Sequence, residues 1–246
     1  MKKVAICFFG STGFKQKLGK VETQNSEKLQ FEVPILSIKK NIIEPNKCDV
    51  FIHSWSKNNK DKLIELLNPI NYKFEEHKIF DRDTSSKKNA VTSRFYSEYQ
   101  ANKLKKIHEK KNKFKYDIVI HSRLDVIWFN PLELYEKKNT LFSTYWNSSI
   151  NENNHGPFNR NNHHQNYALH DWWFYGDSKV MDKFSLIFQN RYKLLMKNNF
   201  VYNTHRFTYL RAKELKLNLE NIHYRGFDFE LYRRFIRENW TNGINK

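Results

Sequence analysis

Cysteine is almost missing: Cys7 and Cys48 are the only two in a chain of 246 residues. Each lies in an apolar, strand-like run and they are not in metal-ligand spacing. They therefore read as reduced core thiols, which favours a reducing compartment. Long hydrophobic runs are missing as well. No segment approaches the length needed to cross a bilayer, so any membrane contact is expected to be peripheral and the location cytoplasmic, at most at the inner face of the membrane. The start, Met1-Lys2-Lys3 followed by Val4 to Phe9, imitates a signal peptide, but its apolar part is too short and meets Gly10-Ser11-Thr12-Gly13 and then lysines. There is no internal repeat and no recognised nucleic-acid motif. Glycine and proline are scarce, at 7 and 5 residues.

What is present is aromatic and basic. Hydrophobic residues make up 39% and aromatics 16% of the chain, enough apolar mass to exclude a disordered protein. The net charge of +17 invites a polyanionic partner such as nucleic acid, an anionic membrane face or a phosphorylated substrate. A blander cause competes: abundant Lys, Asn, Ile, Phe and Tyr with little Gly and Pro is what AT-rich coding produces. The lysines are spread along the chain, so the blander cause has more weight and no specific nucleic acid is expected. The length fits one large α/β unit, read as a single domain over 1–246 with 226–246 as a basic, aromatic, helical C-terminal segment.

Val4 to Phe9 is a continuous apolar run that ends in Gly10-Ser11-Thr12-Gly13, as a strand buried on both faces does. Cys48 to Trp55 repeats the pattern, exiting at His53-Ser54-Trp55. Ile35 to Ile43 is ambiguous between helix and loop, and Asp61 to Leu67 reads as a helix that stops before Asn68-Pro69. Thr92 to Lys113 is the clearest helix, with Phe95, Tyr96, Tyr99, Leu104 and Ile107 as its apolar face and Lys103, Lys105, Lys106, Lys110 and Lys111 crowding its second half. Tyr116 to His121 is the next buried strand, with Arg123-Leu124-Asp125 at its exit. Thr140 to Trp146 reads as a strand, and Asn147 to Asn166, rich in Asn and His, as a lid or binding loop. Trp172 to Gly176 follows as a short strand, then one helix from Asp177 or Ser178 to about Met196, another over Thr204 to Leu215, a late strand over Asn221 to Arg225, and a helix over Phe229 to Trp240. Strand, helix, strand with polar residues at each exit builds a mostly parallel, Rossmann-like sheet flanked by helices, with its site along one edge.

These residues resemble small bacterial and viral GT-A-type glycosyltransferases whose strand exit carries Arg-x-Asp in place of Asp-x-Asp. The likeness rests on Val4-Ala5-Ile6-Cys7-Phe8-Phe9-Gly10, on Asp49 to Trp55, on the block from Phe95 to Asp125, and on Asp171-Trp172-Trp173-Phe174-Tyr175-Gly176-Asp177. It implies a GT-A-like fold and transfer of a sugar from a nucleotide-sugar donor to a glycan or glycolipid acceptor such as a lipopolysaccharide or capsule intermediate. It also implies donor contacts from Phe9, Gly10, Ser11, Thr12, His53, Trp55, Arg94, Arg123 and Asp125, and acceptor contacts from Trp172 and Trp173, of which one must face the core. Asp171 is then the general base. Asp125 is the expected ligand of a Mn2+ or Mg2+ ion bridging the donor diphosphate. Arg123 in the first acidic position qualifies that metal, because a guanidinium can itself clamp phosphate.

Blander readings stand beside these. Arg123 and Asp125 could form an internal ion pair at a strand end, Asp171 could be an ordinary strand-entry residue, and Asp177 fits a helix cap better than a catalyst. His155, His163, His164 and His170 invite zinc, but an Asn-filled context without cysteine suits a solvated acceptor loop better. His205 and His223 are further candidates for contact with a diphosphate. Arg233, Arg234 and Arg237 among aromatics make the last helix a candidate for contact with anionic membrane. Two rival functions remain: a nucleotide-dependent phosphoryl or phosphoramidate-type transferase using the same Arg123 and Asp125, and a non-catalytic basic nucleic-acid-binding protein.

Overall fold

The structure is a computed structural model that describes residues 2–12, 30–80, 86–145, 169–198 and 203–232. The loop expected over 147–166, with His155, His163 and His164, lies outside these residues, as do Gly13 and the arginines at 233, 234 and 237.

Strand β1 (Val4–Gly10) is buried along almost its whole length, as an interior strand of the sheet. Helices α1 (Glu32–Ile38) and α2 (Glu44–Asn46), joined by a π-helical turn over Lys39–Ile43, lead to β2 (Asp49–Ser54). Helix α3 (Lys60–Leu67) and edge strand β3 (Asn71–Phe74) follow. The long α4 (Ser86–Asn112) returns to β4 (Ile118–Arg123), and a tight turn at Leu124 and Asp125 enters β5 (Val126–Trp128). Next come β6 (Thr140–Tyr145), β7 (Trp173–Gly176), α5 (Ser178–Phe184), α6 (Ile187–Asn198), α7 (Thr204–Glu214), β8 (Asn218–Tyr224) and β9 (Phe229–Leu231).

Seven strands form one mixed sheet in the order β3-β2-β1-β4-β7-β6-β8, and β5 pairs with β9 in a separate two-stranded ribbon. The first four strands in that order are parallel and β7 runs antiparallel to β4. The chain leaves β1 toward β2 on one side and later returns to β4 on the other. The gap between the carboxyl ends of β1 and β4 is therefore a topological switch point, where open α/β sheets hold ligands. Register places Phe9 beside Arg123 there, and Gly10 beside Ser54.

Three expectations change. Phe229 to Leu231, read as the start of a helix, is strand β9 against Val126 to Trp128: Phe229 and Leu231 are core residues and only Tyr232 begins a helical turn before the described residues end. The single helix expected up to Met196 is broken at Ser185 and Leu186. The buried Ser185 hydroxyl donates to the Asp182 carbonyl and accepts from Asn102, so it competes with the helix ladder. The buried face of α4 is the expected one only at Phe95. It runs through Val91, Phe95, Glu98, Asn102, Lys105 and Glu109, while Ile107 is 49% exposed.

Candidate functional site

Gly10 closes β1 at φ 97°, a conformation that only glycine adopts without strain, and an added Cβ would meet nothing within 4 Å. The glycine serves the turn, not close packing. Its N–H donates to Ser97 Oγ at 2.8 Å, and the Thr12 N–H donates to Ser56 Oγ at 3.0 Å. Both amides are engaged by the protein, so this loop differs from a phosphate-cradling nest. Thr12 is itself buried, its hydroxyl held by Ser56 and Asn59.

Next to it, His53 is fully buried. Its Nε2 faces the Glu75 carboxylate at 2.9 Å and must donate, and its Nδ1 lies 2.7 Å from Ser97 Oγ, which donates to it in the neutral ring. Burial pushes His53 down to about 4 despite Glu75. Burial would raise Glu75, but hydrogen bonds from Lys73, Lys78, His53 and Tyr96 outweigh that and hold it well below the usual carboxylate range. His53 thus holds up the rim and does not line a donor cleft. Trp55, half-buried, stacks on the equally half-buried Tyr96 with ring centroids 5.5 Å apart.

The His53 shift carries a pH prediction. Its folded pKa lies below the unfolded value near 6.5, so the unfolded state binds the extra proton between about 6.5 and 4, and stability falls as pH falls through that window. The contribution is at most about 3 kcal/mol. Urea midpoints of the wild type and His53→Gln at pH 7 and pH 5 should show a drop for the wild type that the variant lacks. Parallel drops would mean that His53 is not the group responsible.

The chemistry-bearing cluster lies on the β4 side. Arg123 donates from Nε and Nη2 to the two oxygens of Asp125, at 2.7 and 2.6 Å. The internal ion pair therefore forms, with the Arg123 side chain still 20% exposed. Asp125 commits both oxygens to it, and among the described residues no group of three or more potential ligands converges to hold a metal. As it stands the arrangement fits a charge pair better than a cation.

Asp171 precedes β7 and is only 5% exposed. Its Oδ1 lies 3.1 Å from His205 Nδ1 and its Oδ2 3.5 Å from Arg94 Nε. Burial alone would raise its pKa. His205, Arg94, Arg123 and a hydrogen bond from Thr204 outweigh burial and hold the carboxyl well below its ordinary range. A carboxylate so stabilised is a poor base, and its geometry suits an orienting role. His205 is brought there by the start of α7, where the Asn203 side chain accepts from the N–H groups of His205 and Arg206 and caps the helix. Besides Asp171, Nδ1 faces the Leu169 carbonyl at 3.1 Å. Both neighbours are acceptors, so Nδ1 carries the proton and Nε2 is the basic nitrogen of the neutral ring.

No family model and no curated protein matches this chain.

Arg94 ties the halves of the site together. Its Nη2 donates to the Asp171 carbonyl at 2.8 Å, its Nη1 donates to Glu98, and its guanidinium lies 4.8 Å from the centroid of the Phe9 ring. Glu98 in turn accepts from His121 Nδ1 at 2.9 Å. Arg225, held by Glu230, sits 5.5 Å over Trp172. The structure thus brings together Arg94, Arg123, Asp125, Asp171 and Trp172, with Gly10, Ser11, Thr12, His53 and Trp55 on the same rim. Phe9 and Trp173 are core instead: both are fully buried, and Trp173 packs on Trp128, Phe229 and His223. Of the two tryptophans only Trp172, 5% exposed, lies against the cluster. His170, 4.1 Å from its ring, is buried and lowered well below the imidazole range, chiefly by burial. Arg225 and Glu98 escaped the sequence reading. Glu98 follows Arg94 by four residues on a helix, a pairing spacing that could have marked it, whereas nothing local marks Arg225.

Proposed function

We propose that this rim binds the diphosphate of a nucleotide-sugar donor and that the chain is a glycosyltransferase acting on a surface-glycan acceptor. The observation that carries the reading is the convergence of three arginines and an Asp-His pair at the switch point between β1 and β4. Arg123, Arg94 and Arg225 are the groups suited to neutralise charge that develops on a leaving nucleoside diphosphate. The leaving group departs as C–O bond cleavage delivers the sugar to an acceptor hydroxyl. In this reading Asp171 fixes His205, and His205 takes the proton of that hydroxyl through Nε2. Trp55 and Tyr96 offer an aromatic surface at the neighbouring exit. Mn2+ or Mg2+ through Asp125 would require Arg123 to release the carboxylate first.

The experiment is a thermal-shift panel of UDP-, GDP- and CMP-sugars with and without manganese, followed by assay of nucleotide release and sugar transfer. One donor should raise the melting temperature, since a ligand of the native state alone stabilises it. Arg123→Ala should weaken that donor about 10- to 100-fold, the value of one charge-assisted contact. A panel without any shift removes the reading. Transfer of a phosphoryl group without a sugar would favour the phosphotransferase alternative.

A further inference from the structure

A second feature lies at the other end of α4. A cavity of about 910 Å³ opens between the C-terminal half of that helix, the turn over 113–115 and the start of α6. Lys103, Lys106, Lys110, Lys113 and Lys115 line it, and all five are exposed. Its acidic lining residue, Glu109, is 1% exposed and held by the buried Lys105 and by Lys115, so of the five surface lysines it offsets Lys115 alone. Aliphatic groups sit among the charges. Ile107 projects half-exposed between Lys103, Lys106 and Lys110, and Leu186 lies across from it. Ile107 is thirteen residues beyond Arg94, roughly 20 Å of helix rise, so this groove is separate from the rim site.

We propose that this groove is a docking surface for an anionic phospholipid bilayer. The charge is of the right sign and is delivered by lysine alone, with no arginine in the lining. Flexible ammonium groups suit mobile headgroups, whereas a fixed phosphate of nucleic acid is better met by the planar arginine fork. The aromatics present are not offered for base stacking: Phe114 packs edge-on against Tyr116 under Lys3, and Tyr99 stacks on Phe188. An exposed isoleucine ringed by lysines is what a helix lying in a bilayer interface presents, the apolar group entering the headgroup boundary while the lysine stems extend over it. The other candidate stretch for this contact starts in strand β9, and its arginines at 233, 234 and 237 lie outside the described residues, whereas the groove is a described surface with the matching chemistry.

Vesicle co-sedimentation of the full chain tests this. Phosphatidylcholine vesicles should not retain the protein, and vesicles containing phosphatidylglycerol should. The triple variant Lys103→Gln, Lys106→Gln, Lys110→Gln should lower partitioning about 100-fold. Ile107→Ser should lower it several-fold with the charge unchanged. A control triple, Lys57→Gln, Lys62→Gln, Lys137→Gln, removes the same charge from exposed sites elsewhere and should cost far less. Equal losses for the two triples would mean that net charge alone drives binding and would overturn the assignment. So would tight DNA binding that depends on the groove lysines in a protein that ignores the vesicles. None of these readouts involves a nucleotide sugar, so the docking surface and the donor site fail or stand separately.

Discussion

Replacing His205 with Asn should, on the proposed function, lower donor turnover by about 10²- to 10⁴-fold, the range for losing a positioned acid-base group, and leave donor affinity within a few-fold of the wild type. His205 is 28% exposed, so the variant should fold normally. Asp171→Asn removes the charge that fixes the imidazole and should lower turnover to a similar level. The double variant should be no worse than the poorer single one, because groups that act as a unit are not additive. Nucleoside diphosphate release under saturating donor, alongside affinity by calorimetry, provides the check. Full turnover in His205→Asn would assign the proton to another group and return Asp171 to the role of an ordinary strand-entry residue.

The largest loss of stability is expected at Lys105. This lysine has no exposed surface, yet its ammonium donates to Ser178 at 2.7 Å, Asp182 at 2.8 Å and Glu109 at 3.1 Å. It ties α4 to α5 beneath β1. Lys105→Met keeps most of the volume but leaves Glu109 and Asp182 short of their counter-charge inside the protein. The expected cost is about 3–5 kcal/mol, since breaking a buried pair strands the remaining charge. Adding Glu109→Gln should recover part of it, because the buried charge left behind is then removed. Urea denaturation with a double-mutant cycle measures both quantities. A cost under about 1 kcal/mol, or no recovery, would mean that solvent reaches the network.

The elements around the site could be read in advance because apolar runs and their polar exits are local signals. Val4 to Gly10, Asp49 to Ser54 and Ile118 to Arg123 are buried parallel strands, and their exits do share one rim. The strand at Phe229 was hidden because Phe229-Glu230-Leu231 is too short for its alternation to be told from one turn of a helix. They join a sheet only because Val126 to Trp128 lie beside them. At the site, Arg123 and Asp125 were legible from their spacing of two. The contact of Asp171 with His205 was not, because it joins the start of one strand to the start of a helix 34 residues later.

The sequence alone marked the long buried strands β1, β2 and β4 and the residues at their exits, because continuous apolar runs that end in polar residues respond to burial against water. It could not settle which face of α4 turns inward. Apolar periodicity pointed to Phe95, Tyr96, Tyr99, Leu104 and Ile107, and Phe95 is buried, yet the rest of the buried face carries Glu98, Asn102, Lys105 and Glu109. Those polar groups can leave water because His121, Arg94, Ser178 and Asp182 receive them at hydrogen-bond distance. Such partners exist only once distant parts of the chain have been brought together, so the tertiary structure decided that face.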